Sequence, residues 1–164
     1  MKCLMNLKNS MKKYKTKIPL FKVFMANTAA KKVTKVLNSG YIGQGSKVDE
    51  FENDLKKYFD HDYVQTINSG TSALHLALHL LKKPSIPKQN WPGLEPGDEV
   101  LATPMTCTAS NWPALANGLK LKWVDIDPNT LNMDLNDLAR KITPKTKIIL
   151  LVHWGGYPND LDRI

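Results

Sequence analysis

The chain has 164 residues, with 23 Lys and Arg against 15 Asp and Glu and a hydrophobic content of 42%. This length and composition suit one globular domain and argue against a disordered chain. No apolar run approaches the roughly 18 residues of a membrane span, and the basic start lacks the apolar stretch of a secretory signal. Its two cysteines, Cys3 and Cys107, make no disulfide framework, so a cytoplasmic protein without a membrane partner is predicted.

The positive charge is concentrated at the amino end. Residues 1–48 hold eleven Lys and no acidic residue, whereas residues 49–164 hold twelve Lys or Arg and fifteen Asp or Glu. Residues 1–17 are therefore predicted to form a flexible basic leader. Such an arm can bind nucleic acid or an anionic surface, or it can be a solvated tail. We favour the tail because the segment lacks Arg, the side chain best suited to two-point contacts with bases and phosphates.

Two helices are predicted in the first third of the chain. The first begins after an N-cap at Asn27 or Thr28 and ends before Gly40, which suits a left-handed cap. The second has Ser46 as its N-cap and Asp49 three residues later. Apolar side chains at helical spacing predict one buried face on this second helix: Val48, Phe51, Leu55 and Tyr58 or Phe59.

Strands and helices alternate in the rest of the chain. Strands are predicted at residues 63–67, 99–103, 119–125 and 147–152. Helices are predicted at residues 73–81, 110–117 and 134–142. Residues 82–98 hold four Pro and two Gly and are predicted to form an irregular loop. The alternation favours an α/β fold with a parallel sheet.

The first predicted strand leads through Asn68-Ser69-Gly70-Thr71-Ser72 into a helix. A strand–turn–helix unit presents backbone N–H groups and the positive helix end to an anion, and Ser and Thr add hydroxyl donors. A phosphate group is the natural ligand of Gly70, Thr71 and Ser72. An ordinary capped helix start uses the same residue types and, on these residues alone, is the favoured interpretation because N-caps are so common. Nowhere does the chain match G-x-x-x-x-G-K-[ST] or the G-x-G-x-x-G dinucleotide fingerprint.

Polar groups also follow two later predicted strands. Thr106 and Cys107 follow the second strand and His153 the last, and ligand sites in open α/β sheets lie beyond such carboxyl ends. Thr106 and His153 are therefore candidate site residues, although His153 can equally be a loop side chain bonded to the backbone. His75 and His79 have a chelating spacing but no zinc motif, so no metal site is predicted. For Cys107, a small buried thiol is favoured over a nucleophile, because no motif pairs it with a base.

Several stretches, taken together, carry a family resemblance. They include Leu37-Asn38-Ser39-Gly40-Tyr41-Ile42-Gly43-Gln44-Gly45, Asn68-Ser69-Gly70-Thr71-Ser72-Ala73-Leu74-His75, Val124-Asp125-Ile126-Asp127-Pro128 and Val152-His153-Trp154-Gly155-Gly156-Tyr157-Pro158. In this order and spacing, the chain from about residue 18 onward resembles the DegT/DnrJ/StrS family of pyridoxal-phosphate sugar aminotransferases.

The resemblance implies the large domain of an aspartate-aminotransferase-like fold, the type I fold of enzymes that use pyridoxal phosphate (PLP), with a mostly parallel sheet and covering helices. It assigns residues 18–164 to the amino-terminal part of that domain, with residues 82–98 as an inserted loop and the carboxyl-terminal domain absent. The implied reaction moves an amino group from glutamate to a nucleotide-linked keto sugar, in polysaccharide or deoxyamino-sugar biosynthesis. The implied assembly is a homodimer with its active site at the subunit interface.

The resemblance also implies roles for individual residues. The Gly-Thr-Ser turn at residues 70–72 holds the cofactor phosphate in such proteins. Cys107 stands where an aromatic residue usually stacks on the cofactor ring, so contact remains but stacking is lost. Tyr41 lies beside a loop, marked by Gly43 and Gly45, that can reach the partner subunit's site.

The residues that carry the chemistry of this family are not found. PLP chemistry needs a lysine and an acid beside the pyridine nitrogen. None of the 21 Lys aligns with the family's catalytic lysine, and the Glu-Asp-Ala-type motif of the acid is missing. We therefore expect no catalytic residue and no covalently bound cofactor in this chain, and no activity without a complementing carboxyl-terminal half or a full-length paralogue. The alternative is a non-catalytic module that binds phosphate or a nucleotide sugar.

Overall fold

The computed structural model describes Pro19, residues 22–84 and residues 90–164. The predicted basic leader lies outside the described residues, as do residues 85–89 of the predicted loop insertion. Contacts divide the chain into two compact units, which meet in the sequence between Val64 and Gln65.

Two helices are described in the first unit, α1 (Ala29–Ser39) and α2 (Ser46–Phe59). Gly40 follows α1 with a φ of 75°, so the predicted left-handed cap is confirmed. Thr28 occupies the N-cap position of α1 but makes no side-chain cap hydrogen bond. The N-cap of α2 is Gly45 rather than the predicted Ser46, because the extended backbone that precedes a helix falls at Gly45.

The predicted buried face of α2 is wrong. Val48 and Leu55 are half-buried, whereas Phe51 and Phe59 expose 55% and 62% of their surface. Within the described first unit, no residue of either helix is buried. Helical spacing places these side chains on one face, but burial also requires another element packed on that face.

The described part of the second unit is built on a parallel sheet of β1 (Glu99–Ala102), β2 (Lys120–Trp123) and β3 (Thr146–Leu150), in the order β2-β1-β3. The register pairs Ala102 with Trp123 on one side and with Leu150 on the other. The remaining elements are α3 (Gly70–Leu80), α4 (Thr108–Ala116), α5 (Leu135–Lys141) and a 3-10 turn (Trp154–Gly156). The predicted α/β class with a parallel sheet is confirmed.

Helices cover both faces of this sheet. Val100 of β1 packs in one core cluster with Leu78 of α3 and Ala114 of α4. Its neighbour Leu101 packs in a second cluster with Leu138 of α5. Successive residues of a strand point to opposite faces, so β1 is the buried centre of three layers. Accordingly, all four residues of β1 are buried.

One predicted strand is absent. Residues 63–67 are not assigned to a strand, and Tyr63 among them is 89% exposed. Their composition satisfies strand propensity, but a strand also needs the backbone of a neighbour. The other three predicted strands are present, with bounds within two residues of those predicted.

Candidate functional site

The first turn of α3 offers unpaired backbone donors. The helix begins at Gly70, so the residues predicted to form a polar turn are already helical, with Ser69 as the N-cap. Within the described part of the chain, the N–H groups of Gly70 and Thr71 have no hydrogen-bond partner, as expected for the first residues of a helix. Ser69 and Gly70 are exposed, and a Cβ placed on Gly70 would have no atom within 4 Å. The two N–H groups are therefore accessible to a ligand.

Two hydroxyl groups lie beside these N–H groups. The Oγ of Ser69 accepts a hydrogen bond from the Ser72 N–H at 3.1 Å and donates one to the Ser72 Oγ at 3.0 Å. Because the Ser72 oxygen accepts this bond, the proton of its own hydroxyl remains available to a ligand. Three free donors suited to an anion, the N–H groups of Gly70 and Thr71 and the hydroxyl of Ser72, are thus gathered at a helix end whose dipole is positive.

The exit of β1 is tied to the start of α4. Asn111 donates from Nδ2 to the carbonyl oxygen of the buried Thr103 at 3.2 Å, and its Oδ1 is buried without a partner within the described chain. Thr106 donates from Oγ1 to the Oγ of Ser110 at 3.2 Å, so its hydroxyl proton is used inside the protein. Cys107 is the N-cap residue of α4 and is exposed, not buried as predicted, because it stands where the chain turns from strand to helix.

The exit of β3 is held by two buried asparagines that sequence analysis missed. His153 is exposed, and its Nδ1 accepts a hydrogen bond from the backbone N–H of Asn159 at 3.0 Å. Asn132 accepts a hydrogen bond from the Trp154 N–H at 3.1 Å. Asn132 and Asn159 expose only 5% and 6% of their surface. A buried polar side chain is a signal of a structural or functional role, but a single sequence does not show that Asn132 and Asn159 are buried.

These two strand exits lie at the same edge of the sheet. Ala102 and Leu150 are paired in the ladder, and Cys107 and His153 follow them by five and three residues. From β1 the chain crosses to β2 on one side, and from β2 it crosses back to β3 on the other. Ligands of open α/β sheets bind where the strand order reverses in this way. The edge formed by β1 and β3 is therefore the candidate site.

The other predicted site-edge residues belong to the first unit. Tyr41, Gly43 and Gly45 line a cavity of about 630 Å³ together with side chains that include Lys35 and Lys47. Their predicted approach to a partner subunit's site stays a prediction.

His75 and His79, whose spacing of four residues could chelate a metal, both lie on α3. The ring of His75 meets that of Trp112 edge to face, with centroids 5.8 Å apart. In the described ranges, no group of three or more His, Cys, Asp or Glu side chains is arranged to hold a metal ion.

Two carboxylates with lowered pKa support the sheet. Glu99, at the start of β1, accepts a hydrogen bond from Thr143 Oγ1 at 2.7 Å, and this bond is the main cause of its lowered pKa. Asp137 of α5 accepts a hydrogen bond from the Asp125 N–H at 2.8 Å, just beyond β2. That bond, followed by one from Lys141, lowers the pKa of Asp137 to about 2.

Comparison with known proteins identifies the lineage. The family model described as the DegT/DnrJ/EryC1/StrS aminotransferase family matches residues 24–164. The chain belongs to this aminotransferase family. The resemblance inferred from its motifs is thereby confirmed.

Relatives within the aminotransferase family include both a curated sequence and solved structures. The chain is 36% identical over 132 residues to the spore coat polysaccharide biosynthesis protein SpsC of Bacillus subtilis, covering 80% of this chain and 31% of SpsC. It is 48% identical to the sugar aminotransferase CalS13 of Micromonospora echinospora, with a TM-score of 0.73 over 90% of this chain and 37% of CalS13.

A further structural relative was solved with a cofactor. This is the GDP-4-keto-6-deoxy-D-mannose-3-dehydratase of E. coli with bound hydrated PLP, which is 31% identical. The TM-score is 0.76 over 90% of this chain and 36% of the dehydratase. These matches confirm the predicted fold of PLP-dependent sugar aminotransferases. The chain spans about a third of the length of the relatives it matches.

The donors at α3 fit the phosphate of such a cofactor. A phosphate group presents several acceptor oxygens and negative charge, and the first turn of α3 offers N–H and O–H donors at a positive helix end. The open space at Gly70 lets an oxygen approach the backbone. Separately, none of the described helices is long and apolar enough to cross a membrane.

Proposed function

We propose that this chain carries the phosphate site of a PLP-dependent sugar aminotransferase, and that the whole protein transfers an amino group to a nucleotide-linked keto sugar. The observation that carries the proposal is the pair of unpaired N–H groups at Gly70 and Thr71, beside the hydroxyls of Ser69 and Ser72. Membership of the aminotransferase family and the PLP bound to a dehydratase relative support it.

Each of these residues has a distinct task. When bound, PLP supplies an electron sink for moving an amino group. The N–H groups of Gly70 and Thr71 donate to the phosphate, while Ser69 orients Ser72 so that the Ser72 hydroxyl donates as well. The exposed thiol of Cys107 contacts the cofactor ring, at the position where the family resemblance implies a stacked aromatic side chain.

We also propose that the 164 residues do not complete the reaction by themselves. No Lys of this chain aligns with the family's catalytic lysine, so that group lies outside these 164 residues, and a complementing polypeptide or a full-length paralogue can supply it. A homodimer and a nucleotide-sugar substrate belong to the same proposal. Borohydride reduction in the presence of PLP, followed by peptide mass spectrometry, should find no single Lys that carries the cofactor. A specific, stoichiometric adduct would overturn this part.

The phosphate site is tested by introducing a negative charge at Gly70. PLP or inorganic phosphate should raise the melting temperature of the wild-type chain, since a ligand at 100 times its Kd stabilises the folded state by about 2.7 kcal/mol. In Gly70→Asp, a carboxylate in the first turn repels the phosphate, and affinity should fall by at least ~10-fold. Gly70→Asn has the same size without charge and should retain more affinity. Titration followed by thermal shift or calorimetry measures both.

Both variants are expected to fold, because a Cβ at Gly70 meets no atom within 4 Å and an acid in a first helical turn is favourable. Their melting temperatures without ligand provide the control. A wild-type chain that neither phosphate nor PLP protects at millimolar concentration would overturn the proposed site. Equal affinities of the Asp and Asn variants would place the phosphate elsewhere.

A further inference from the structure

The hydrogen bond between Asn159 and His153 determines where the imidazole carries its proton. The backbone N–H of Asn159 points at His153 Nδ1, with the two nitrogen atoms 3.0 Å apart. An amide N–H can only donate, so Nδ1 must supply the lone pair. In the neutral ring the proton then resides on Nε2.

Asn159 is itself held on both sides of its amide group. Its Nδ2 donates to the carbonyl oxygen of Val152 at 2.9 Å and lies 3.1 Å from His153 Nδ1. Its Oδ1 accepts a hydrogen bond from the Met133 N–H at 3.3 Å. Rotation of this buried side chain would leave polar groups unpaired, which is costly in a protein interior. The backbone that carries the Asn159 N–H is therefore fixed against the ring of His153.

A second asparagine closes the turn in which His153 lies. Asn132 accepts a hydrogen bond from the Trp154 N–H and donates from Nδ2 to the carbonyl oxygens of Tyr157 and Pro158 at 3.1 and 3.0 Å. Gly155 and Gly156 adopt positive φ angles of 59° and 85°, which let the chain turn this tightly. His153 thus stands on a rigid turn, with its side chain exposed at the edge formed by β1 and β3.

We propose that Asn159 fixes His153 as the Nε2–H tautomer and that this Nε2–H donates a hydrogen bond to an anionic oxygen of bound PLP. The inference rests on the proposed function, and it adds a binding residue, His153, and a positioning residue, Asn159. The anionic oxygen is either an oxygen of the phosphate group or the deprotonated hydroxyl oxygen attached to the pyridine ring. A donor held in one tautomer needs no rearrangement when the ligand arrives, which is the advantage of preorganisation.

The tautomer is measured on the ligand-free chain. Long-range proton–nitrogen NMR of the imidazole, at a pH where the ring is neutral, should give a protonated Nε2 and an unprotonated Nδ1. The signals of His153 are assigned by their loss in His153→Gln. A ring protonated on Nδ1, or an equal mixture of tautomers, would overturn the proposal whether or not PLP binds.

Two variants separate the two hydrogen bonds of the His153 ring: the inward one, which Nδ1 accepts from the Asn159 N–H, and the outward one, which Nε2–H donates to the ligand. In His153→Asn, the amide oxygen can take the place of Nδ1 and accept from Asn159, but the outward donor is lost. In His153→Gln, the amide nitrogen can take the place of Nε2, while the acceptor for Asn159 is lost. Hydrogen exchange of the Asn159 amide should therefore stay slow in His153→Asn and become fast in His153→Gln.

The affinity for PLP should change in the variant whose Asn159 exchange does not, and stay unchanged in the other. A hydrogen bond to a charged group corresponds to at least ~10-fold in affinity, so His153→Asn should bind PLP about 10-fold more weakly and His153→Gln about as well as wild type. A loss for PLP and inorganic phosphate alike assigns the contact to the phosphate group, and a loss for PLP alone assigns it to the ring.

Equal PLP affinities of the two variants would overturn the donor role of His153, and so would weaker binding by His153→Gln than by His153→Asn. Such a result leaves the phosphate site at Gly70 intact. In contrast, a wild-type chain that binds no PLP overturns the proposed function and this donor role together. Circular dichroism of both variants verifies that they are folded.

Discussion

Replacing Leu101 with alanine is expected to lower the free energy of unfolding by about 2–5 kcal/mol. Leu101 lies in the central strand with no exposed surface, and it packs against the buried Val124, Met133 and Leu138. Removing its side chain loses apolar burial and leaves a cavity between the sheet and α5, which the flanking strands prevent from collapsing. Urea denaturation followed by circular dichroism measures the change.

Leu115→Ala is the matched control. Leu115 lies on α4 in the same unit but exposes 55% of its surface, and alanine is a helix former at least as good as leucine. Its free energy of unfolding should change by no more than ~0.5 kcal/mol. If the two variants lost equal stability, the second core cluster would not be the region that holds the sheet together.

The alternation of strands and helices was predictable because it depends on local patterns. The apolar runs of β1 and β3 are strand-sized, and Gly40 marks a helix end through a backbone preference of its own. Residues 63–67 and the apolar face of α2 were misjudged for a common reason. Propensity and spacing describe what a segment can do, whereas pairing and burial depend on whether another segment lies against it.

Within the candidate site, too, the residues predicted from sequence are those with local signals, and the residues missed are those that act through tertiary contacts. Gly70 was predicted from the small polar residues at a helix start, and His153 from the rule that ligand sites follow the carboxyl ends of parallel strands, which needs only the order of elements. Asn159 was missed because its partner Met133 is 26 residues away in the sequence. Asn111, bonded to Thr103 eight residues earlier, was missed because nothing local shows that its amide is buried. Residues that hold a site in place act through tertiary contacts, which one sequence does not display.

Replacing Asp137 with asparagine is expected to remove a pH-dependent part of the stability. The Asp125 N–H, Lys141 and Arg140 hold the pKa of Asp137 at about 2 in the folded state, below its usual 3.8. Because the folded-state pKa is depressed, the stabilisation is complete above pH ~3.8 and is lost as the pH falls through about 2. The wild-type chain should therefore exceed Asp137→Asn in urea midpoint at pH 5, and this difference should shrink towards pH 2.

Asp162→Asn separates this effect from the general titration of carboxylates. Asp162 is exposed in the same unit, and within the described chain it takes part in no hydrogen bond or ion pair. Its substitution should leave the urea midpoint close to the wild-type value at each pH, since exposed charges contribute little. In Asp137→Asn the new side-chain amide oxygen can still accept from the Asp125 N–H, so what the variant loses is the carboxylate charge facing Lys141 and Arg140. A wild-type advantage over Asp137→Asn that stayed constant down to pH 2 would assign the role of Asp137 to its shape and hydrogen bond rather than to its charge.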